Sequence, residues 1–449
     1  MRYNERGREQ HILFTMPYLL KSATLIEFDP VRVERGDIRI KDGLIVDRAA
    51  SLESLEGEEV IDLSGKILMP GLVCGHTHLY SALARGMPAP PRAPRDFKEI
   101  LELVWWRLDR AMDEETIYYS AMAGALDAAR AGTTCLIDHH ASPSRIAGSL
   151  QIVREAMERV GIRGALCYEV TDRGGESQRD EGINENRDFL RWVEESKTNL
   201  FRGLVGAHAS FTLSDRSLEM CAEAMREFQT GLHIHVAEDT CDVEDARAKY
   251  DSGIIERLQR FDALNDRTIL AHCTHLSESE IHLARESGAW FAHNPRSNMN
   301  NQVGYAKVEQ FGDRILIGTD GIGADMFEET RAAYFKGRDA KIGFGADEWL
   351  CALRNNQRFA SQLFGTEIGA LRRGAAADLI VMDYPQPTPM TAENAAWHFV
   401  FGMNSASVES VMIAGRFVLH ERRFPFDTAD VYERIREASH RLWDRLRKL

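Results

Sequence analysis

Short apolar runs that end in a histidine, an aspartate or a glutamate recur along the middle of the chain. The first, Leu72-Val73-Cys74-Gly75, follows Pro70-Gly71 and leads into His76-Thr77-His78. Thr134–Ile137 then leads into Asp138, His139 and His140, Ala165–Tyr168 into Glu169, and Leu204–Ala207 into His208. Gly231–Ile234 leads into His235 and Glu238, Ile269–Ala271 into His272, Trp290–Ala292 into His293, and Ile315–Thr319 into Asp320. Between the runs lie stretches with helical spacing: Ile117, Ala121, Leu126 and Ala129 within Glu114–Arg130, and Leu218, Cys221, Ala222 and Met225 within Leu218–Phe228. Eight strand-like runs alternating with helices, each ending in a group that binds a metal or moves a proton, predict an α/β fold. Its form is a (β/α)8 barrel of the TIM type, whose site is assembled at the C-terminal ends of the strands.

The segments flanking the barrel read differently. Leu19–Phe28, Asp37–Asp47 and Glu59–Met69 are strand-like, with turn signals at Lys41-Asp42-Gly43 and Ser64-Gly65-Lys66. Ala377–Asp383 and Val408–Leu419, the latter with a turn at Ala414-Gly415-Arg416, are strand-like again. Strands this short need partners to bury their apolar faces, so the two ends are expected to form one small β-sandwich. The expected division is residues 17–70 for its first part, 71–374 for the barrel, and 375–449 for its second part with a charged C-terminal helix over Glu433–Leu449. Residues 1–15 read as a polar extension, which leaves Met1 and Met16 as alternative starts.

A length of 449 residues accommodates a barrel of about 250 residues and this smaller module. No apolar run approaches the ~18 residues of a membrane span. A net charge of −14 disfavours nucleic acid and anionic membranes as partners, which leaves a small molecule. The seven cysteines have no framework spacing and the N-terminus lacks the apolar core of a signal peptide, so a cytoplasmic location is expected. A homodimer or higher homo-oligomer is the expected assembly.

His76 and His78 are two residues apart on a strand and so share a face. An isolated pair of this kind is as well read as surface histidines, but here at least six other strand ends carry His, Asp or Glu, the ligand types of a catalytic zinc-like ion. His235 lies nearer the top of its strand than His233, and Asp320 ends the strand that closes against the first. His76, His78, His235 and Asp320 therefore form the expected ligand set. The fourth run holds no lysine to bridge two metals, so one divalent ion is expected: zinc by donor type, with iron or manganese also suited. Glu238 is either a solvated loop carboxylate or the group that takes a proton from water. His272 is either a core histidine or the group that polarises the substrate. The functional reading is adopted for both.

His208 and His293 either face the substrate or orient a neighbour. Only one of His139 and His140 points inward, and His140 is taken as the pocket residue. Trp105 and Trp106 are core or the wall for a flat ring. Arg85, Arg92, Arg95 and Arg107 in or beside the insertion over residues 85–106 suit an oxygen-rich ring, and a second polar insertion spans Thr171–Asn186. Substrate contacts are assigned to Trp105, His140, His208, His293, Arg296 and Asn298.

Together the stretches Pro70–His78, Leu232–Glu238, Leu270–Cys273, Ala292–Asn298 and Gly318–Gly321 resemble the amidohydrolase superfamily, in its mononuclear deaminase and chlorohydrolase branch. The resemblance extends to Gly374–Val381. It implies that His76, His78, His235 and Asp320 bind the metal, that Glu238 and His272 perform proton transfer and substrate polarisation, and that water attacks a carbon bonded to nitrogen. Trp105–Ala111, Ile137–Pro143, Pro295–Asn301 and Asp320–Glu329 are similar to the SsnA-type aminohydrolases, a group associated with anaerobic purine catabolism. The expected activity is deamination or ring opening of a purine-like nitrogen heterocycle. Dechlorination or amide hydrolysis of another ring, and a non-catalytic binding barrel, are the alternatives.

Overall fold

The computed structural model describes residues 16–449, so the polar extension at residues 1–15 lies outside the described residues. The eight runs form strands Leu72–Thr77, Thr133–His140, Arg163–Val170, Val205–Ala209, Leu232–Val236, Ile269–His272, Trp290–His293 and Ile315–Ile317. Successive strands pair in parallel in chain order. A short extra strand, Phe201–Gly203, pairs with the third. The ring closes between the eighth unit and the first: Thr77 bridges Asp320, and the Thr319 and Asp320 N–H groups donate to the His76 carbonyl at 2.9 and 3.1 Å. Gly318 permits this closure, because a Cβ there would lie 2.7 Å from the His76 Cβ and 2.4 Å from Asn294 Oδ1.

Glu114–Arg130 is a helix, fixed at its start by a capping box between Asp113 and Thr116. The second predicted helix is Asp215–Glu227, capped by Ser214. The C-terminal helix is Thr428–Leu446 and starts ahead of the apolar pattern because Asp427 accepts from the Ala429 N–H. The segment Thr171–Asn186 is not a polar insertion. From Glu176 to Ser196 it is an outer helix of the barrel whose charged surface masks a short buried face that includes Ile183, Phe189 and Leu190.

The two ends of the chain pair through Ile67–Pro70, antiparallel to Leu379–Met382, in one sheet with Tyr18–Phe28, Val31–Lys41, Leu44–Ala49, Glu59–Asp62, Val408–Ile413 and Arg416–Leu419. Alternation assigns its faces. Leu379 and Val381 join a small core with Leu20, Ile38, Ile40 and Leu68, while Ile380 and Met382 belong to the main core shared with the barrel. The sheet curls over the small core: the Tyr18 and Phe417 rings meet edge-on at 5.3 Å, and a Cβ on Gly43 would sit 3.1 Å from the Ala414 carbonyl oxygen. A fully buried pair, Arg163 Nε and Nη2 donating to Asp378 at 2.7 and 2.9 Å, fastens the third barrel strand to this sheet. Among the described residues no helix is long and apolar enough to cross a membrane.

Candidate metal centre and its pocket

The three histidines and the aspartate converge at the C-terminal mouth of the barrel. His78 Nε2 lies 3.1 Å from His235 Nε2 and 2.9 Å from Asp320 Oδ1, and His76 Nε2 lies 3.2 Å from the same oxygen. One ligand atom from each of the four residues falls within 4.8 Å of those of the others. Their opposite ring nitrogens are tied down. His78 Nδ1–H donates to the His139 carbonyl at 2.5 Å, His235 Nδ1–H donates to the His208 carbonyl at 2.9 Å, and His76 Nδ1 pairs with His233 Nε2 at 2.8 Å. A carbonyl only accepts, so in the neutral rings the Nε2 lone pairs of His78 and His235 face each other at 3.1 Å. A cation between them turns that repulsion into coordination, and the fixed rings are what a metal site requires.

The electrostatics agree. Burial pushes His76 down to about 3 and holds His235 well below the usual imidazole range. His78 is equally buried, yet the facing Asp320 carboxylate pushes it up to about 9. The space between Asp320 and the imidazoles thus favours positive charge. Asp320 Oδ2 also accepts from the Ser297 hydroxyl.

Glu238 and His272 lie beside this set. His272 Nε2 is 3.5 Å from Glu238 Oε2, and one atom from each lies within 4.8 Å of the other and of Asp320. Burial, reinforced by Asp320 and opposed by His272, pushes the Glu238 carboxyl up to about 7. Asn301 Nδ2 donates to Glu238 Oε1 at 3.1 Å, and Asn298 Oδ1 accepts from His272 Nδ1–H at 2.8 Å. The backbone here is strained: Ala237, His272 and Asp320 occupy the left-handed region at φ 45°, 71° and 52°. Such conformations are costly for residues other than glycine and concentrate at functional sites.

Above this set is a cavity bordered by His78, His235, Glu238 and Asp320 and by Glu169 and His208. Phe97, Leu101, Trp105 and Trp106 border it from the segment after the first strand. A wide π turn at Leu101–Trp105 joins the helical turns Phe97–Ile100 and Trp106–Ala111, and so brings both tryptophans to one cavity. Glu169 is buried, but the imidazoles of His208 and His139 and the Arg173 guanidinium outweigh burial and hold its carboxyl below the usual range.

Of the residues assigned to the substrate, Trp105 and His208 border the cavity. Asn298 stands behind His272. His140 requires correction: in the strand register His139 pairs with Cys167 and His140 with Tyr168. Cys167 Sγ approaches His233 Nδ1 inside the barrel, so His139 is the inward residue, while His140 Nε2 pairs outside with Ser142 Oγ at 2.9 Å. Arg296 does not reach the cavity; it is bound to Glu329, to Glu328 at 2.8 Å and to the Gly323 carbonyl at 2.8 Å. His293 stacks on Trp349 away from the pocket, at 5.7 Å between ring centres. The arginines of the insertion are also engaged elsewhere: Arg85 with Asp127, Arg92 and Arg95 with Glu99, and Arg107 with the Leu446 carbonyl. The insertion meets the pocket with its apolar side chains. Residues that sequence reasoning missed include Ser297 and Asn301, one helical turn apart on Pro295–Asn301, where i, i+4 spacing was the available signal. Tyr80, which also borders the cavity, and the paired Asp109 and Arg173 carried no comparable signal.

A family model described as Amidohydrolase family matches residues 67–418. A 5'-deoxyadenosine deaminase of Methanopyrus kandleri is 31% identical over 93% of this chain and 97% of its own. A 5-methylthioadenosine/S-adenosylhomocysteine deaminase of Desulforudis audaxviator is 29% identical over 86% of this chain and 90% of its own. Among solved structures, a zinc-bound adenosine deaminase from Xanthomonas campestris superposes with a TM-score of 0.83 at 23% identity, covering 96% of this chain and 99% of that one. At that identity the superposition speaks to the fold.

Proposed function

We propose that this chain, which belongs to the amidohydrolase family, hydrolyses the bond between a purine-like ring carbon and its amino nitrogen and releases ammonia. The observation that carries the reading is the junction of the three-histidine, one-aspartate cluster with the carboxyl group of Glu238, which lies 3.5 Å from His272 Nε2 and is pushed up by burial. The names of the deaminase relatives support the same substrate class. His76, His78, His235 and Asp320 would hold one divalent ion, zinc by donor type. When bound, the ion acidifies water and polarises the substrate.

The chain's own groups account for the protons. One proton of the attacking water moves through Glu238 Oε2 to the ring nitrogen beside the reacting carbon. The other moves through Asp320 to the amino nitrogen, which leaves as ammonia, and the product carries a carbonyl and a ring N–H. His272 Nε2 accepts a hydrogen bond from the attacking water, and Asn298 fixes the ring that presents it. Asn298→Ala is accordingly expected to lower kcat by about 10- to 100-fold with ion content unchanged, read by steady-state kinetics and elemental analysis of one preparation. Unchanged kcat would make Asn298 a packing residue.

Seven free cysteines fit a reducing cytoplasm. The exposed rings of Phe335, Trp397 and Phe401, with Trp397 stacked on Phe401 and Phe335 edge-on to it, support a homo-oligomer, since interfaces bury aromatic groups of this kind. The function is tested by incubating metal-loaded protein with purines, pterins, hydantoins and reduced urate-like rings, with ammonia assay and mass spectrometry. Ammonia from an aminopurine is the expected result; ring opening without ammonia, or no reaction with any purine, contradicts it.

A further inference from the structure

Glu169 takes no part in the chemistry above, yet it borders the same cavity as Glu238 and Asp320. It comes from the third strand, whereas Glu238, His272 and Asp320 come from the fifth, sixth and eighth units, and one of its carboxylate oxygens lies within 4.8 Å of a ring nitrogen of His235. Its carboxylate is only loosely held. Oε1 lies 3.5 Å from Arg173 Nη2, and Oε2 lies 3.4 Å from His139 Nδ1. Charge-assisted bonds are normally about 2.7–2.9 Å, so neither oxygen is saturated. Arg173 makes its short bond to Asp109, at 2.8 Å, with the guanidinium 4.7 Å over the Trp106 ring. His139 has no freedom to turn, because Nε2–H is spent on the carbonyls of Ala207 and His233.

Around this carboxylate, Trp106 Nε1, Asp109 Oδ1, His139 Nδ1 and Arg173 Nε are buried without hydrogen-bond partners among the described residues. Buried polar atoms are nearly always paired, and of these four residues Trp106 borders the cavity itself, beside Glu169, with the other three packed behind. An ionised carboxylate only accepts, so the complementary group on a ligand is a donor. The Arg173 guanidinium next to it opposes a cation, which leaves a neutral N–H or O–H.

Resting on the deaminase reading, we propose that Glu169 selects the substrate by accepting a hydrogen bond from a neutral donor other than the amine that leaves. Two sources present that chemistry, the ring N–H of a free base and the hydroxyls of an attached sugar, and they are separable with product-like ligands that have no amine to lose. Hypoxanthine is compared with 9-methylhypoxanthine, and inosine with 2',3'-dideoxyinosine, by calorimetric titration of the metal-loaded protein. The wild type is expected to prefer the donor-bearing member of one pair on the order of 10- to 100-fold, the size of a hydrogen bond to a charged group. The pair that shows the preference identifies the source. Glu169→Gln should weaken that preference and Glu169→Leu should remove it. Equal affinities in both pairs of the wild type, no binding by any of the four, or a preference intact in both folded variants overturns the proposal. The wild-type comparison decides alone if the variants fail to fold. Ammonia release from adenine and adenosine is read separately: its absence with the preference intact removes the deaminase reading and leaves Glu169 as a binding residue.

Discussion

Glu238→Gln is expected to keep its full complement of metal while kcat falls by about 10² to 10⁴, the usual contribution of general acid–base catalysis. The separation of the two readouts follows from the geometry. Glu238 lies outside the set formed by His76, His78, His235 and Asp320, and its nearest contacts are His272 Nε2 at 3.5 Å and Asn301 Nδ2 at 3.1 Å. Glutamine preserves the shape and an oxygen for Asn301, but it cannot take a proton from water. Burial pushes the native carboxyl up, in the direction that lets a group both accept and return a proton. Metal content and kcat must be measured on the same preparation. Wild-type kcat in the variant would reduce Glu238 to a solvated carboxylate at the cavity edge, and loss of metal would move it into the ligand set.

Asp320→Asn is expected to fail on both readouts, with activity reduced by more than about 100-fold and the ion lost on dialysis. A single oxygen, Oδ1, faces His76 Nε2 and His78 Nε2, and the other is held by Ser297. The substitution removes the negative charge that pushes His78 up to about 9 and that draws a cation between the imidazoles. It also removes the second proton acceptor that deamination requires. Elemental analysis after dialysis, with kinetics in excess metal, separates the two losses. Full metal retention would show that the three histidines suffice to hold the ion, and full activity would exclude Asp320 from proton transfer.

The convergence of His76, His78, His235 and Asp320 was legible because each sits where a short apolar run ends, and strand ends share one face of a barrel. The His139 and His140 assignment failed on parity. Ile137 and His139 lie on the side of the small inward residues Ala165 and Cys167, a partition that the run Thr134–Ile137 does not reveal without the register of the next strand. Arginine counts misled for a different reason. Arg95 meets Glu99 at i, i+4 spacing, which is readable in sequence, but Arg296 meets Glu329 far along the chain, and only the packing of two helices brings them together. The helix Glu176–Ser196 was obscured because its exposed faces are almost wholly polar. Ser297 and Asn301 were quoted within a motif without a role, because their partners Asp320 and Glu238 belong to other strand ends.

The central claim, that this site replaces a ring amine with oxygen from water, is tested most directly by mass spectrometry of an aminopurine turned over in isotopically labelled water by metal-reloaded protein. The account predicts ammonia and product in equal amounts, one labelled oxygen in each product molecule, and no product from the metal-depleted control. An unlabelled product, or turnover undiminished after metal removal, would contradict it.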